Sequence, residues 1–181
     1  MCKFASFVLT KGEEFWLEGE HASDSHEKII NFYELHADGA RGPNILRVEI
    51  SPTDKIKVWP SLKAWAYRVD QDRMPEWFDA AAAEKRTRSA LERRYKKGFS
   101  SVDASGCTSL TSLDAGKAGS VDARGCTSLT SLDAKNATGY VDASGCTSLT
   151  SLDAGKAGSV YARGCNPNLK IIAKKCATIY R

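Results

Sequence analysis

Six cysteines, three histidines and two columns of aspartate are the residues of this chain whose types could do chemistry. Thiols hold metals or exchange disulfides, imidazoles ligate or relay protons, and rows of carboxylate present a negative field. Spacing decides among these uses. Cys107, Cys126, Cys146 and Cys165 recur at intervals of 19, 20 and 19 residues without any Cys-x-x-Cys pair, so they form a line and do not converge on one ion. That favours small buried hydrophobes. Cys176 joins them in a slot otherwise held by Ala118, Ala137 and Ala157, which leaves Cys2 unexplained. His26 and His36 stand ten apart on one expected helix and project from its opposite ends, and His21 precedes its cap, so the three histidines cannot share a ligand. Glu18, Glu20 and Asp24 read as ordinary solvated carboxylates. No HExxH, P-loop, GxSxG or GxGxxG motif occurs. The expectation is a non-enzymatic chain with no catalytic residues, no metal site and no cofactor.

Two charged arrays remain as binding candidates. Asp103, Asp122 and Asp142 form one acidic column and Asp114, Asp133 and Asp153 another, and together they mark a candidate partner-binding face. They could also imitate a nucleic acid. Two columns at ~4.8 Å rise give about one charge per 2.4 Å, against one per ~1.7 Å in duplex DNA. Lys117, Arg124, Lys135 and Lys156 interrupt the field further, so mimicry is the weaker use. The second array is Lys85, Arg86, Arg88, Arg93, Arg94, Lys96 and Lys97, which face only Glu84 and Glu92 and leave an excess of five positive charges. A basic helix of this kind can bind phosphate backbones, with Tyr95 available for stacking. Equally, cations suit the last turns of a helix that ends at Gly98.

The elements that position these residues follow from a repeat. Val102, Val121, Val141, Val160 and Ile179 are separated by 19, 20, 19 and 19 residues, and the extra residue falls near Thr138-Gly139-Tyr140. Alternation over Val102-Asp103-Ala104 and Leu113-Asp114-Ala115 predicts two short strands per period, with Gly106, Gly116 and Gly119 at turns. Neither strand buries its apolar side alone, so successive periods must stack in parallel. The prediction is a right-handed parallel β-solenoid of four coils of 19–20 residues, leucine-rich-repeat-like, over residues 98–181. Its fourth coil diverges through Tyr161, Ile172 and Asn166-Pro167-Asn168 and reads as a cap from about 160, with Lys170, Lys174, Lys175 and Arg181 discouraging end-to-end stacking.

The string Cys126-Thr127-Ser128-Leu129-Thr130-Ser131-Leu132-Asp133-Ala134 resembles the cysteine-ladder leucine-rich repeats of bacterial internalin-type surface proteins. The resemblance covers the repeat block only. Ala115 and Ala134 stand where that family carries a larger residue, which implies a thinner, flatter coil.

Residues 1–97 hold all four tryptophans and predict an α+β domain ending in the basic helix. Phe4 to Thr10 and Phe15 to Leu17 read as a hairpin, and Asp24 with Glu27 as a capping box opening a helix through His36 and ended by Gly39. A loop from Asp38 to Asn44 then leads to a strand from Ile45 to Ile50. Trp65 to Val69 reads as a further strand, and Pro75 as the first turn of the second helix. The phrases Ser25-His26-Glu27-Lys28-Ile29-Ile30, Leu46-Arg47-Val48-Glu49-Ile50-Ser51-Pro52 and Trp65-Ala66-Tyr67-Arg68-Val69-Asp70-Gln71-Asp72, with Pro75-Glu76-Trp77-Phe78, resemble small uncharacterised bacteriophage and prophage proteins. In those, such a domain often precedes a short-period solenoid. The resemblance implies a viral accessory protein, with host-takeover or anti-defence roles, and transfers no catalytic residue.

Composition bounds the rest. The chain has 181 residues, 42% hydrophobic and 27% charged, with net charge +4, which fits one generous domain or two small ones and excludes a disordered tail. No apolar run approaches the ~20 residues of a membrane span. The opening residues lack the apolar stretch and cleavage site of a secretory signal, so a cytoplasmic chain is expected, in the bacterial host if phage-encoded. The reading favoured is a protein-binding or scaffolding module for a host or phage protein. Nucleic-acid binding through 85–97 and DNA mimicry through the aspartates are the alternatives. A free sheet edge leaves a homodimer open.

Overall fold

Leu46, Val48 and Ile50 alternate with Arg47 and Glu49, and this alternation makes the central strand of the amino-terminal sheet in the computed structural model. The structure describes residues 5–21, 23–39, 42–53, 57–176 and 178–181. Cys2, Phe4, residues 40–41 of the expected loop and the side chain of Glu20 lie outside the described residues. Strand β1 (Ala5–Leu9) pairs antiparallel with β2 (Glu14–Phe15) on one side and with β5 (Leu46–Ser51) on the other, and β5 pairs with β7 (Ala66–Val69). Helix α1 (His26–Phe32) covers one face through Ile29, which packs with Val8, Leu17 and Ile45. The opposite face, Phe7, Leu9, Leu46, Val48 and Ile50, joins Ala83, Ala90 and Leu91 of helix α2 (Ala80–Lys97) and continues into the core of the repeat region. A two-residue ribbon of β3 (Asp38–Gly39) and β4 (Gly42–Pro43) leads into the central strand.

Both helices begin later than the sequence suggests, and α1 ends sooner. Ser25 caps α1 by accepting the Lys28 N–H at 3.4 Å, because Asp24 is engaged elsewhere: it accepts the Ser6 N–H and the Arg94 guanidinium. The helix stops at Phe32, where Glu34 takes a left-handed φ of 51° and Leu35 N–H returns to the Ile30 carbonyl. His36 is therefore outside it, and Gly39 sits in β3 and ends no helix. Asp79 caps α2 through the Ala82 N–H at 2.7 Å, while Pro75 to Phe78 form a preceding turn. At the other end Gly98 has φ 103°, and a Cβ there would lie 2.6 Å from the Lys117 carbonyl oxygen, so glycine is required where the helix meets the first coil.

From Phe99 the chain winds into a parallel β-solenoid of about four turns. One sheet stacks β8 (Phe99–Asp103), β10 (Ala118–Asp122), β12 (Tyr140–Asp142), β14 (Ser159–Tyr161) and β16 (Thr178–Tyr180). The other stacks β9 (Ser112–Asp114), β11 (Ser131–Asp133), β13 (Ser151–Asp153) and β15 (Lys170–Ile172). The register sets Val102 on Val121 on Val141 on Val160 on Ile179, and Leu113 on Leu132 on Leu152 on Ile171, as the spacing requires. The extra residue of the second coil is absorbed where Thr138 and Gly139 both donate to the Gly119 carbonyl. Each buried valine or leucine of these columns contributes ~2 kcal/mol by removal from water.

A strand outside the repeat completes the first coil. β6 (Val58–Trp59) pairs parallel with β9, Val58 opposite Ser112 and Trp59 opposite Leu113. The Lys57 carbonyl accepts the Thr111 and Ser112 N–H groups and the Thr111 hydroxyl, continuing a ladder in which Thr130 and Thr150 hydroxyls donate to the Thr111 and Thr130 carbonyls. The amino-terminal half thus closes one end of the solenoid with a strand of its own and with the buried pair Trp59 and Trp65.

Candidate interaction surface

The six aspartates each end a solenoid strand, and each accepts the backbone N–H two residues on, at 2.9–3.1 Å: Asp103 from Ser105, Asp122 from Arg124, Asp142 from Ser144, Asp114 from Gly116, Asp133 from Lys135 and Asp153 from Gly155. They repeat because every coil turns at that point and a turn N–H needs an acceptor. Their charge is also partly neutralised within the coil. Arg124 pairs with Asp122 at 2.6 Å and reaches toward Asp142, and Lys135 pairs with Asp133 at 2.8 Å. Hydrogen bonding to Asp122 pushes the Arg124 guanidinium further up, and Asp133 does the same to Lys135.

The cysteine column has a chemical reason beyond size. Cys126, Cys146 and Cys165 donate their S–H groups to the carbonyls of Ala104, Ala123 and Ala143 in the preceding coil, at 2.9–3.0 Å. Burial pushes all three thiols up, Cys146 to about 12, so they stay protonated donors and are poor nucleophiles and metal ligands. Cys107 departs from this use: it is half-buried and disulfide-bonded.

The basic run lies on α2 as expected, and five of its seven cations hold α2 to the rest of the fold. Arg86 and Arg93 both bind Glu14, Arg88 binds Glu84 and the Trp65 carbonyl, and Lys97 binds Glu18 and holds that carboxyl below its usual range. Arg94 is buried, pairs with the half-buried Asp24 and lies against the rings of Phe7 and Phe99. Among the described residues, Lys85 and Lys96 are the members whose ammonium groups make no ion pair.

The far end of the solenoid is built differently from the near one. β15 and β16 are the last strands of their sheets, and among the described residues nothing pairs with their outer sides. In parallel strands alternate residues direct both backbone groups to the same side. Ala154 N–H donates to the Ile172 carbonyl and Ala162 N–H to the Tyr180 carbonyl, so the N–H and C=O of Ile171 and Ile179 face outward. The side chains do not close over this edge: Ile172, Ile179 and Tyr180 are 48%, 43% and 38% exposed. Tyr180 stacks on Tyr161 at 4.8 Å, with Arg163 over its ring. Six basic residues, Lys156, Arg163, Lys170, Lys174, Lys175 and Arg181, and no acidic side chain follow Asp153. The last coil keeps the inward frame, and among the described residues the outer sides of its strands are unpaired. In sequence this coil is marked by Tyr161 and Ile172, which stand where the other coils carry aspartate.

No helix of the described residues is long and apolar enough to cross a membrane. Comparison of the chain with protein-family models, with curated proteins and with solved structures gives no match.

Proposed function

We propose that the chain is a non-enzymatic protein-binding module whose open solenoid end takes up an extended, acidic segment of a partner protein. The observation that carries this is the pair of uncovered edge strands, β15 and β16, with exposed Ile172, Ile179 and Tyr180, on a last coil whose charged side chains after Asp153 are all basic. Backbone groups on an edge supply affinity by strand addition, and the basic excess of the last coil selects the charge of the added strand. The same excess opposes pairing of two identical ends, which favours a foreign strand over a second copy. The nucleic-acid alternatives have less support, since five cations of 85–97 and all six aspartates already serve the fold.

The resemblance of residues 1–97 to phage and prophage proteins supports a setting for this module: a bacteriophage accessory protein in the host cytoplasm, in host takeover or anti-defence. The solenoid's likeness to cysteine-ladder leucine-rich repeats supports binding as its role.

A labelled peptide of alternating valine and glutamate, followed by fluorescence anisotropy, tests the reading. The intact chain is expected to bind it with an affinity that falls as salt rises, and Ile179→Pro to lose that binding. Proline deletes the outward N–H of Ile179 while pairing with β14, made through Thr178 and Tyr180, persists. Binding unchanged by Ile179→Pro, or preference for a lysine-bearing peptide of the same pattern, would overturn it.

A further inference from the structure

The outer face of the amino-terminal sheet, remote in sequence from the open end, gathers one imidazole and two carboxylates. His26 begins α1 with its side chain only 10% exposed, and its Nε2 lies 3.0 Å from the Val48 carbonyl. A carbonyl oxygen only accepts, so Nε2 carries a proton and Nδ1 is the ring nitrogen left to hold a second proton or a metal ion. Nδ1 faces Oδ2 of Asp70 at 3.3 Å. Glu49 completes the group from β5, and one ligand atom from each of the three residues lies within 4.8 Å of the others. A proton on Nδ1 joins ring and carboxylate as an ion pair, and a metal ion in its place would be held by the same two atoms with Glu49. Arg68, opposite Glu49 in register, supplies positive charge from outside through its contacts to Glu49 and Asp70, yet its side chain is 66% exposed and can swing into solvent.

We infer that His26, Glu49 and Asp70 form a site for a divalent metal ion of the zinc type, with Arg68 as the cation that occupies the carboxylates when the ion is away. A ring nitrogen oriented by a backbone carbonyl on its other nitrogen is the usual support of a metal-bound histidine. One nitrogen and two carboxylate oxygens suit zinc better than magnesium, which prefers oxygen ligands in octahedral array. With bonds of ~2.1 Å a tetrahedral ion holds its ligands ~3.4 Å apart, so His26 and Asp70, at 3.3 Å, already stand at that spacing, and Glu49, within 4.8 Å of both, is the group that closes on the ion. Bound there, the ion ties α1 to β5 and to the end of β7. Sequence reasoning compared the histidines only with one another. It missed the site because Glu49 and Asp70 reach His26 through strand pairing and helix packing.

Calorimetric titration of zinc into the chelator-treated full chain tests the inference, with cobalt as a spectroscopic probe and circular dichroism to verify folding of each variant. One ion per chain is expected. His26→Gln, which keeps a donor for Val48, and Asp70→Asn or Glu49→Gln should each weaken binding by about tenfold or more, as loss of a metal partner does. Arg68→Ala should tighten it several-fold by removing the competing cation. Cobalt should give weak visible bands without thiolate charge transfer. The inference fails if neither the intact chain nor Arg68→Ala binds zinc up to millimolar concentration. It fails equally if His26→Gln binds as tightly as the intact chain, or if cobalt shows thiolate bands.

Discussion

Replacing Asp142 by alanine removes the acceptor that holds the turn after β12. In the folded chain Ser144 N–H donates to Asp142 Oδ1 at 2.9 Å, and the aspartate is half-buried. Loss of a side-chain acceptor from an otherwise unpaired backbone N–H costs about 1–2 kcal/mol by analogy with helix caps and with hydrogen bonds to charged groups. For a chain of this length that corresponds to a fall in Tm of roughly 3–6 °C. Asp142→Asn keeps an oxygen in the same place and should lose less than half as much. The distant approach of Arg124, at 3.8 Å, is lost in both variants and contributes little at an exposed position. Thermal unfolding followed by circular dichroism at fixed protein concentration and neutral pH measures the difference. Equal destabilisation by alanine and asparagine would show that charge is what the column supplies. An unchanged Tm in Asp142→Ala would refute the turn-capping reading of the repeat.

Further outcomes follow from the same geometry. Gly155→Ala places a Cβ 2.5 Å from the Lys135 carbonyl of the preceding coil, a backbone atom that cannot yield, so urea unfolding should show a loss of about 1–3 kcal/mol. The thiols of Cys126 and Cys146 should resist alkylation at mildly alkaline pH until the chain is unfolded. Because the folded value of Cys146 is raised, its contribution to stability is complete below the ordinary thiol value of about 9 and is lost as pH rises toward about 12, so alkaline unfolding should set in across that window. Arg94→Met removes the buried partner of the partly exposed Asp24 and should cost about 1–3 kcal/mol, visible as a lower urea midpoint. If the 85–97 helix binds DNA at all, its salt dependence should reflect about two phosphate contacts, from Lys85 and Lys96, and a steeper slope would show that the ion pairs open.

The solenoid was legible because its constraints are local and repeated. Val102, Leu113 and Cys126 each recur at the spacing of one coil, and a parallel stack gives such spacing only one register. What the sequence hid lies in non-local partnerships. β6 is two residues long, and nothing in Val58-Trp59 announces that it pairs with Ser112 and Leu113. Asp24 looks like a helix cap until Arg94, 70 residues away, claims its carboxylate, and Ser25 takes the cap instead. The basic residues of α2 could be counted, but their engagement by Glu14 and Glu18 depends on how a two-residue strand and its following loop pack on the helix. The exposure of Ile172 and Ile179 is hidden for a related reason, because it depends on what packs over the last coil and divergence of a repeat does not announce that.

Hydrogen exchange at the backbone amides of Ile171 and Ile179 is the most direct test of the open end as a strand-accepting surface. Both N–H groups point away from the solenoid, so in the free chain they should exchange rapidly while Val141 and Leu132, inside their sheets, are protected. Addition of the alternating valine and glutamate peptide should slow exchange at Ile179 and leave Ser100 and Thr108 at the far coil unchanged. Slow exchange at both amides in the free chain, or no slowing at Ile179 with saturating peptide, would contradict the account.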